Sequence, residues 1–283
     1  MSALPPKREI ERIATAALAE DGRLDITSAL TIPAGIRAGG VIEYRSGGVL
    51  SGIAYADAIA GQCGCRIEWN AGEGDIVHPA AAVGVARGEL GDILRAERPL
   101  LNLLQRASGI ATTTRAFVDS VQGTRTRILH TRKTAPGLRS LDIAAVLAGG
   151  GHAHRADLSH QVMVKDNHWR ALAREGAGLE QALAQARKRG VAALYVEVES
   201  VEQVELACAA GATRLVVDNQ TPETVRAWSR LARERLPGIE IEATGGITLT
   251  NVRAYAEAGV DFISIGALTH SVQAADIAIE VKT

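Results

Sequence analysis

An α/β fold built on a parallel sheet is what the sequence predicts, on three observations. Short β-rich runs alternate with alanine-rich helical stretches from about residue 109, a helix–glycine–strand unit repeats, and polar residues gather where the runs stop. The runs lie at 126–129, 162–164, 194–198, 214–217, 239–243 and 262–265. Between them 141–147, 169–189, 201–210, 222–236 and 251–258 carry helical spacing. Strands alternating with helices form βαβ units, and six such strands predict a (β/α) barrel or most of one.

The repeat supports this order. Residues 202–218 (EQVELACAAGATRLVVD) align with 250–266 (TNVRAYAEAGVDFISIG), an offset of 48 residues. Each copy reads helix, Ala-Gly, strand, so Gly211 and Gly259 are expected to close their helices in the left-handed conformation that glycine tolerates.

The first hundred residues differ. Runs at 40–44, 48–53 and 81–86 are short and punctuated by glycine, and 7–19 and 54–61 read as helices. A separate α+β domain is expected there. A helix over about 94–121 would carry the chain onward, and Pro99 suits a first helical turn, which places its start near Arg98.

Composition narrows the function. The chain has 283 residues, 47% of them apolar, and a net charge of −1. Such a balance supplies a core but no global basic field, which argues against nucleic acid as a partner. The N-terminal stretch MSALPPKREIERIATAALAED lacks the continuous apolar run of a signal peptide. No run is long and apolar enough to predict a transmembrane helix, so no membrane is expected. Three cysteines, Cys63, Cys65 and Cys208, are an odd and low count that fits a reducing, cytoplasmic compartment.

In parallel barrels the chemistry gathers at the C-terminal strand ends. Here the first run ends in Arg132 and Lys133, in a chain with five lysines against twenty-six arginines. The next ends in Lys165-Asp166-Asn167-His168, then come Glu197 and Glu199, Asp218-Asn219, Thr244-Gly245-Gly246 and Gly266. Glycine N–H groups cradle phosphate. Lysines neutralise it, arginines fork onto carboxylates, and two carboxylates on neighbouring strands can share Mg²⁺ with substrate oxygens. Singly, each residue has a plainer account: a solvated strand end for Arg132 and Lys133, an ion pair for Lys165, helix capping for Glu199 and Asp218, a tight turn for Gly245-Gly246. Jointly they describe a phosphorylated, carboxylated substrate. Four of seven histidines fall between 152 and 168, and a zinc site on His152, His154 and His168 would be one that no cysteine completes. The same strand ends are compatible with a Schiff-base aldolase barrel using Lys165, and with a barrel that binds its ligand without catalysis.

Taken with "ERPLLNLLQRASGIAT" (97–112), "TRKTAPGLR" (131–139), "GGGHAHR" (149–155), "VKDNH" (164–168), "VEVES" (196–200), "VVDN" (216–219), "TGGIT" (244–248) and "GVDFISIGALTHS" (259–271), the chain resembles the quinolinate phosphoribosyltransferases. The resemblance implies an N-terminal α/β sandwich domain over 1–108, an incomplete (β/α) barrel over 109–270, and a tail at about 271–283 packing back on the first. It implies phosphoribosyl transfer from phosphoribosyl pyrophosphate to quinolinate with decarboxylation, in a homodimer with a shared active site. Carried over, Arg132, His154 and Arg155 bind quinolinate, and Arg98 reaches in from the other subunit. Lys133 and Lys165 hold phosphates, Gly246 and Gly266 bind the 5′-phosphate, and Glu199 and Asp218 serve the ribose and Mg²⁺. Thr131 and Gly245 complete the substrate-binding set. The family usually carries Asp before the TRKT stretch, where this chain has His130. Asp157 and His160 depart from its pattern after the His-Arg pair, and "EDGRLDIT" (20–27) is one residue short of it. A molybdenum-transport-associated branch with another acceptor is the nearest rival.

Overall fold

The computed structural model describes residues 5–22, 24–159, 161–174 and 178–282. Its contacts divide the chain into two compact units, Met1–Arg115 with Lys133–Gly151 and Ala267–Thr283, and Ala116–Arg132 with His152–Gly266.

The first unit carries strands β1 (Arg37–Tyr44), β2 (Gly48–Val49), β3 (Arg66–Trp69), β4 (Ile76–Val77) and β5 (Ala81–Glu89). The second carries β6 (Arg127–Leu129), β7 (Val162–Val164), β8 (Leu194–Val198), β9 (Arg214–Asp218), β10 (Glu240–Thr244) and β11 (Phe262–Ser264). The last strand, β12 (Ile277–Lys282), returns to the first unit and pairs antiparallel with β1.

In the first unit β12, β1, β5 and β3 form an antiparallel sheet in that order. Helices Lys7–Glu20 and Ile53–Gln62 and the long Leu90–Ser120 helix accompany it. The long helix starts well before Arg98 and continues through Pro99. Proline in a helix interior costs about 3 kcal/mol through its missing N–H and its ring. Buried Ile93, Ala96, Leu100, Leu101, Leu104, Ala107, Ile110 and Ala111 outweigh that loss, since each buried side chain of Leu or Ile size contributes about 1.5–3 kcal/mol. The run at 48–53 stays extended only to Val49, and Gly52, at φ 98°, opens the helix Ile53–Gln62. Gly109 is where the C-terminal segment crosses the long helix. A Cβ there would come within 2.1 Å of the Gln273 carbonyl oxygen. Arg106 fixes the segment 133–151 by a two-armed ion pair to Asp142, both bonds 2.8 Å, and Asp142 is fully buried.

The second unit is the parallel sheet β6-β11-β10-β9-β8-β7. Beyond β6 a single parallel bridge joins Leu129 to His152. All five residues of β8 are buried, as a sheet covered on both faces requires. Gly211 and Gly259 take φ 72° and 89° after their helices, as the repeat predicts. The stretch 169–189 is represented by two helices, Asp166–Arg174 and Leu179–Lys188. Among the described residues no helix is long and apolar enough to cross a membrane. Cys63, Cys65 and Cys208 are buried and free, and burial pushes the Cys65 thiol up to about 11.

Candidate functional site

The C-terminal ends of the parallel strands bring the second unit's charged side chains together. β7 ends at Val164, and Lys165 follows as the chain turns into the helix Asp166–Arg174. His168 Nδ1 accepts the Lys165 backbone N–H at 3.0 Å, which pins the lysine at the turn. Its ammonium pairs with Glu197 of β8, whose side chain is only 6% exposed. Trp169 Nε1 donates to the Glu197 carbonyl at 2.8 Å, so one turn of helix holds both partners.

Arg132 follows β6 and Arg155 follows the His152 bridge. Burial pushes the Arg155 guanidinium below its usual range, and the charge of Arg132 adds to that, against Glu242 and Glu197. Arg132 Nε is buried with no hydrogen-bond partner. Two cations held close with a donor unspent form an arrangement that an anion completes, because a buried unpaired N–H is costly.

His154 points into the strand barrel rather than outward. Its side chain is 6% exposed, Nε2 lies 3.3 Å from Glu242 Oε2, and Nδ1 accepts the Arg155 backbone N–H at 2.6 Å. Both ring nitrogens are thus occupied within the protein. Below it Arg214 donates to Glu242 at 3.0 Å and to Glu240 at 2.7 and 2.9 Å.

Gly245 and Gly246, at φ 85° and 61°, turn the chain after β10. A Cβ on Gly245 would meet the Asn219 side-chain oxygen at 2.2 Å, whereas a Cβ on Gly246 meets nothing within 4 Å. Gly245 is therefore demanded by packing, and Gly246 is demanded only by its positive φ; its carbonyl accepts a 3.1 Å bond from the Asn251 side chain. Thr131 and Gly266 stand at the ends of the neighbouring strands β6 and β11, which pair in parallel. Asp218 ends β9, half-buried, and accepts a 2.8 Å bond from Asn219; Glu199 stands exposed one residue past β8. β8 and β9 are neighbours in the sheet. Two oxygen donors on adjacent strands fit Mg²⁺, a hard cation that takes few carboxylates and fills its shell with water and substrate oxygens. Among the described residues no three His, Cys, Asp or Glu side chains are grouped to hold a metal by themselves.

Arg98 and Lys133 belong to the first unit. Arg98 is well exposed on the long helix, 3.9 Å from Glu97. Lys133 is exposed, and its carbonyl accepts a 2.9 Å bond from the Thr269 hydroxyl. His160 lies outside the described residues. Sequence reasoning assigned no role to Glu197, Glu242 or His130. The signal for the first two was their alternation with apolar residues along β8 and β10.

The sequence matches the N-terminal domain of quinolinate phosphoribosyl transferase over residues 25–108 and its C-terminal domain over 110–280. The chain belongs to the quinolinate phosphoribosyltransferase family. It is similar to the nicotinate-nucleotide pyrophosphorylase [carboxylating] of Mycobacterium leprae, with 36% identity covering 94% of each chain. It is also similar to the quinolinate phosphoribosyltransferase [decarboxylating] 2b, mitochondrial, of Nicotiana tabacum, with 36% identity covering 98% of this chain and 84% of the other. Its structure resembles that of the nicotinate-nucleotide pyrophosphorylase from Francisella tularensis, with a TM-score of 0.90 and 32% identity covering 98% of each chain. The quinolinate phosphoribosyltransferase fold accounts for the open parallel sheet, in which β6 sits beside β11 at one edge and β7 closes the other.

Proposed function

We propose that the protein transfers the phosphoribosyl group of phosphoribosyl pyrophosphate to quinolinate, with decarboxylation, giving nicotinate mononucleotide, CO₂ and pyrophosphate. The observation that carries this is the Arg132–Arg155 pair with its unspent donor, with Lys165 at the end of β7 in the same sheet. A pyridine dicarboxylate supplies the planar acceptors that forked guanidiniums favour. The ring nitrogen attacks C1 of the ribose while the C1–O bond to pyrophosphate breaks and the leaving group takes the electron pair. The bond from ring C2 to its carboxylate then breaks, CO₂ departs, and C2 keeps the pair and takes a proton. The cationic ring nitrogen and the surrounding arginines stabilise that charge, so positioning and electrostatics carry the catalysis. Lys165 holds phosphate oxygens, and the backbone at Gly246 and Gly266 receives the 5′-phosphate.

Glu199 and Asp218 are the residues that would hold Mg²⁺, which when bound neutralises pyrophosphate charge. Quinolinate and phosphoribosyl pyrophosphate are expected to yield nicotinate mononucleotide with Mg²⁺ present, and product formation should fall to background after exhaustive EDTA treatment. Full activity in EDTA would remove the metal from the scheme, and absence of product under both conditions would remove the reaction.

Arg132→Lys keeps the charge and loses the fork. The KM for quinolinate should rise about tenfold or more while that for phosphoribosyl pyrophosphate moves little. Steady-state kinetics with near-parental values for both substrates would return Arg132 to a plain strand-end residue.

The working enzyme is proposed to be a homodimer in which Arg98 of each subunit completes the partner's site. Arg98→Ala and Lys165→Ala subunits, each nearly inactive, should regain activity when mixed and reassembled, because one site of two then carries neither defect. Mixtures that stay inactive would rule the shared site out.

A further inference from the structure

The ladder between β6 and the 152–155 segment breaks at one residue. His152 N–H donates to the Ile128 carbonyl at 2.8 Å, and Leu129 bridges His152. In a parallel ladder the next bond falls two residues on, from His154 N–H to the backbone of residue 130. The His130 side chain takes that bond instead: its Nε2 accepts the His154 N–H at 3.0 Å. An acceptor nitrogen carries no proton. Nδ1 of the same ring lies 3.1 Å from the Thr131 carbonyl oxygen, which can only accept. The two bonds together require the neutral Nδ1–H tautomer of a ring that is 0% exposed.

We propose that His130, as this neutral tautomer, is a positioning residue that sets the spacing of Arg132 and Arg155. Arg132 lies two residues beyond His130 along the chain, and Arg155 follows the residue that His130 holds. The His130 and His154 rings meet edge to face, 6.5 Å between centroids. His154 is fixed in turn, with Nδ1 accepting the Arg155 N–H and Nε2–H facing Glu242. One run of bonds therefore leads from the Thr131 carbonyl through both imidazoles to Glu242, and both guanidiniums are rooted on it. Two like charges repel, so the backbone bearing them must be braced before the anion arrives. A neutral acceptor does this without adding a third cation to the cluster. His130 touches no reacting atom; it acts through Arg155 and Arg132.

The inference rests on the phosphoribosyl transfer proposed above, and its test separates the two. In His130→Leu the part-buried His154 N–H loses its acceptor. The KM for quinolinate should rise about 10–100-fold, as misplacing a substrate-holding group does, while that for phosphoribosyl pyrophosphate changes less than about threefold. In His130→Gln the side-chain oxygen can reach the place of Nε2, and most of the loss should be recovered. Equal defects in Leu and Gln, or equal shifts for both substrates, would overturn the positioning role. Should the Leu variant fail to fold, the unaltered protein still decides the matter through the ¹⁵N–¹H spectrum of the His130 ring. An Nδ1–H pattern at neutral pH is expected; an Nε2–H pattern or an imidazolium overturns the proposal, whether or not the protein makes nicotinate mononucleotide.

Discussion

Replacing Lys165 with alanine should lower kcat by about 10²–10³-fold, the loss typical of one preorganised electrostatic group. The lysine is placed by more than its own pairing. His168 Nδ1 fixes its backbone N–H, and Trp169 Nε1 fixes the strand that carries Glu197. Its ammonium is thus held at the strand end with one carboxylate beside it, where the proposed reaction needs phosphate charge to be met. The change should also cost stability. Glu197 is almost fully buried, and removing its cation leaves the charge uncompensated. A fully buried pair broken this way costs about 3–5 kcal/mol. Lys165 is 42% exposed, so water screens its side of the pair and about 1–2 kcal/mol is the better expectation. The two losses separate in the double variant Lys165→Ala, Glu197→Gln. Thermal unfolding should return most of the way to the parent, since no lone buried charge remains, while turnover stays low. Lys165→Arg should recover only part of the activity, because a broad planar fork replaces a compact point charge. A kcat for Lys165→Ala within about threefold of the parent would exclude the residue from the phosphate site.

How much of this was legible depends on which periodicity carried the signal. The parallel sheet was legible because each β-rich run is followed by a helix and a polar turn, and the helix–glycine–strand repeat is local in sequence. Lys165, Arg132 and Gly246 stand out for the same reason, since strand ends are marked by the first polar residue after an apolar run. The antiparallel sheet of the first unit was harder to read. Its pairing of β1 with β12 joins residues more than two hundred positions apart, and β2, β3 and β4 are too short to show a period. Pro99 misled because helix-start statistics are local, whereas the apolar face of the long helix is decided by what it packs against. Glu242 was hidden for a different reason. The sequence of β10, EIEAT, alternates as a half-exposed strand would, yet Glu242 is buried against Arg214 and His154. In β8 the choice between Glu197 and Glu199 turns on where the strand ends, which no single-residue pattern specifies. His130 could not be read at all: its work is done by a ring nitrogen on a backbone N–H twenty-four residues away.

Arg214→Met should destabilise the fold by about 3–5 kcal/mol at neutral pH, because it strips a hydrogen-bonded guanidinium from the buried Glu242. The Arg214 guanidinium carbon lies over the Phe262 and Tyr195 rings, 3.8 and 4.4 Å from their centroids, and the group donates to Glu240 and Glu242. Methionine keeps much of the length and apolar contact, so the loss reports mainly the charge. Burial works to push the Glu242 carboxyl up. Its interactions with His154, both hydrogen bond and electrostatic attraction, then the charge of Arg214 and a hydrogen bond from Ser264 outweigh it and hold the group below its ordinary 4.5. A carboxyl depressed in the folded state stabilises the fold above about pH 4.5, and that contribution is lost as pH falls through the lower folded value. Without Arg214 one of the influences that oppose burial is gone, and the folded value rises. Protonation then relieves the uncompensated charge, so the difference between variant and parent should be widest near pH 7 and narrow towards pH 4. Urea unfolding across that range measures it. Adding Glu242→Gln should close most of the gap at pH 7. A gap of constant size at every pH would mean that Arg214 stabilises the barrel by packing between its two aromatic rings, with the carboxylate contributing nothing.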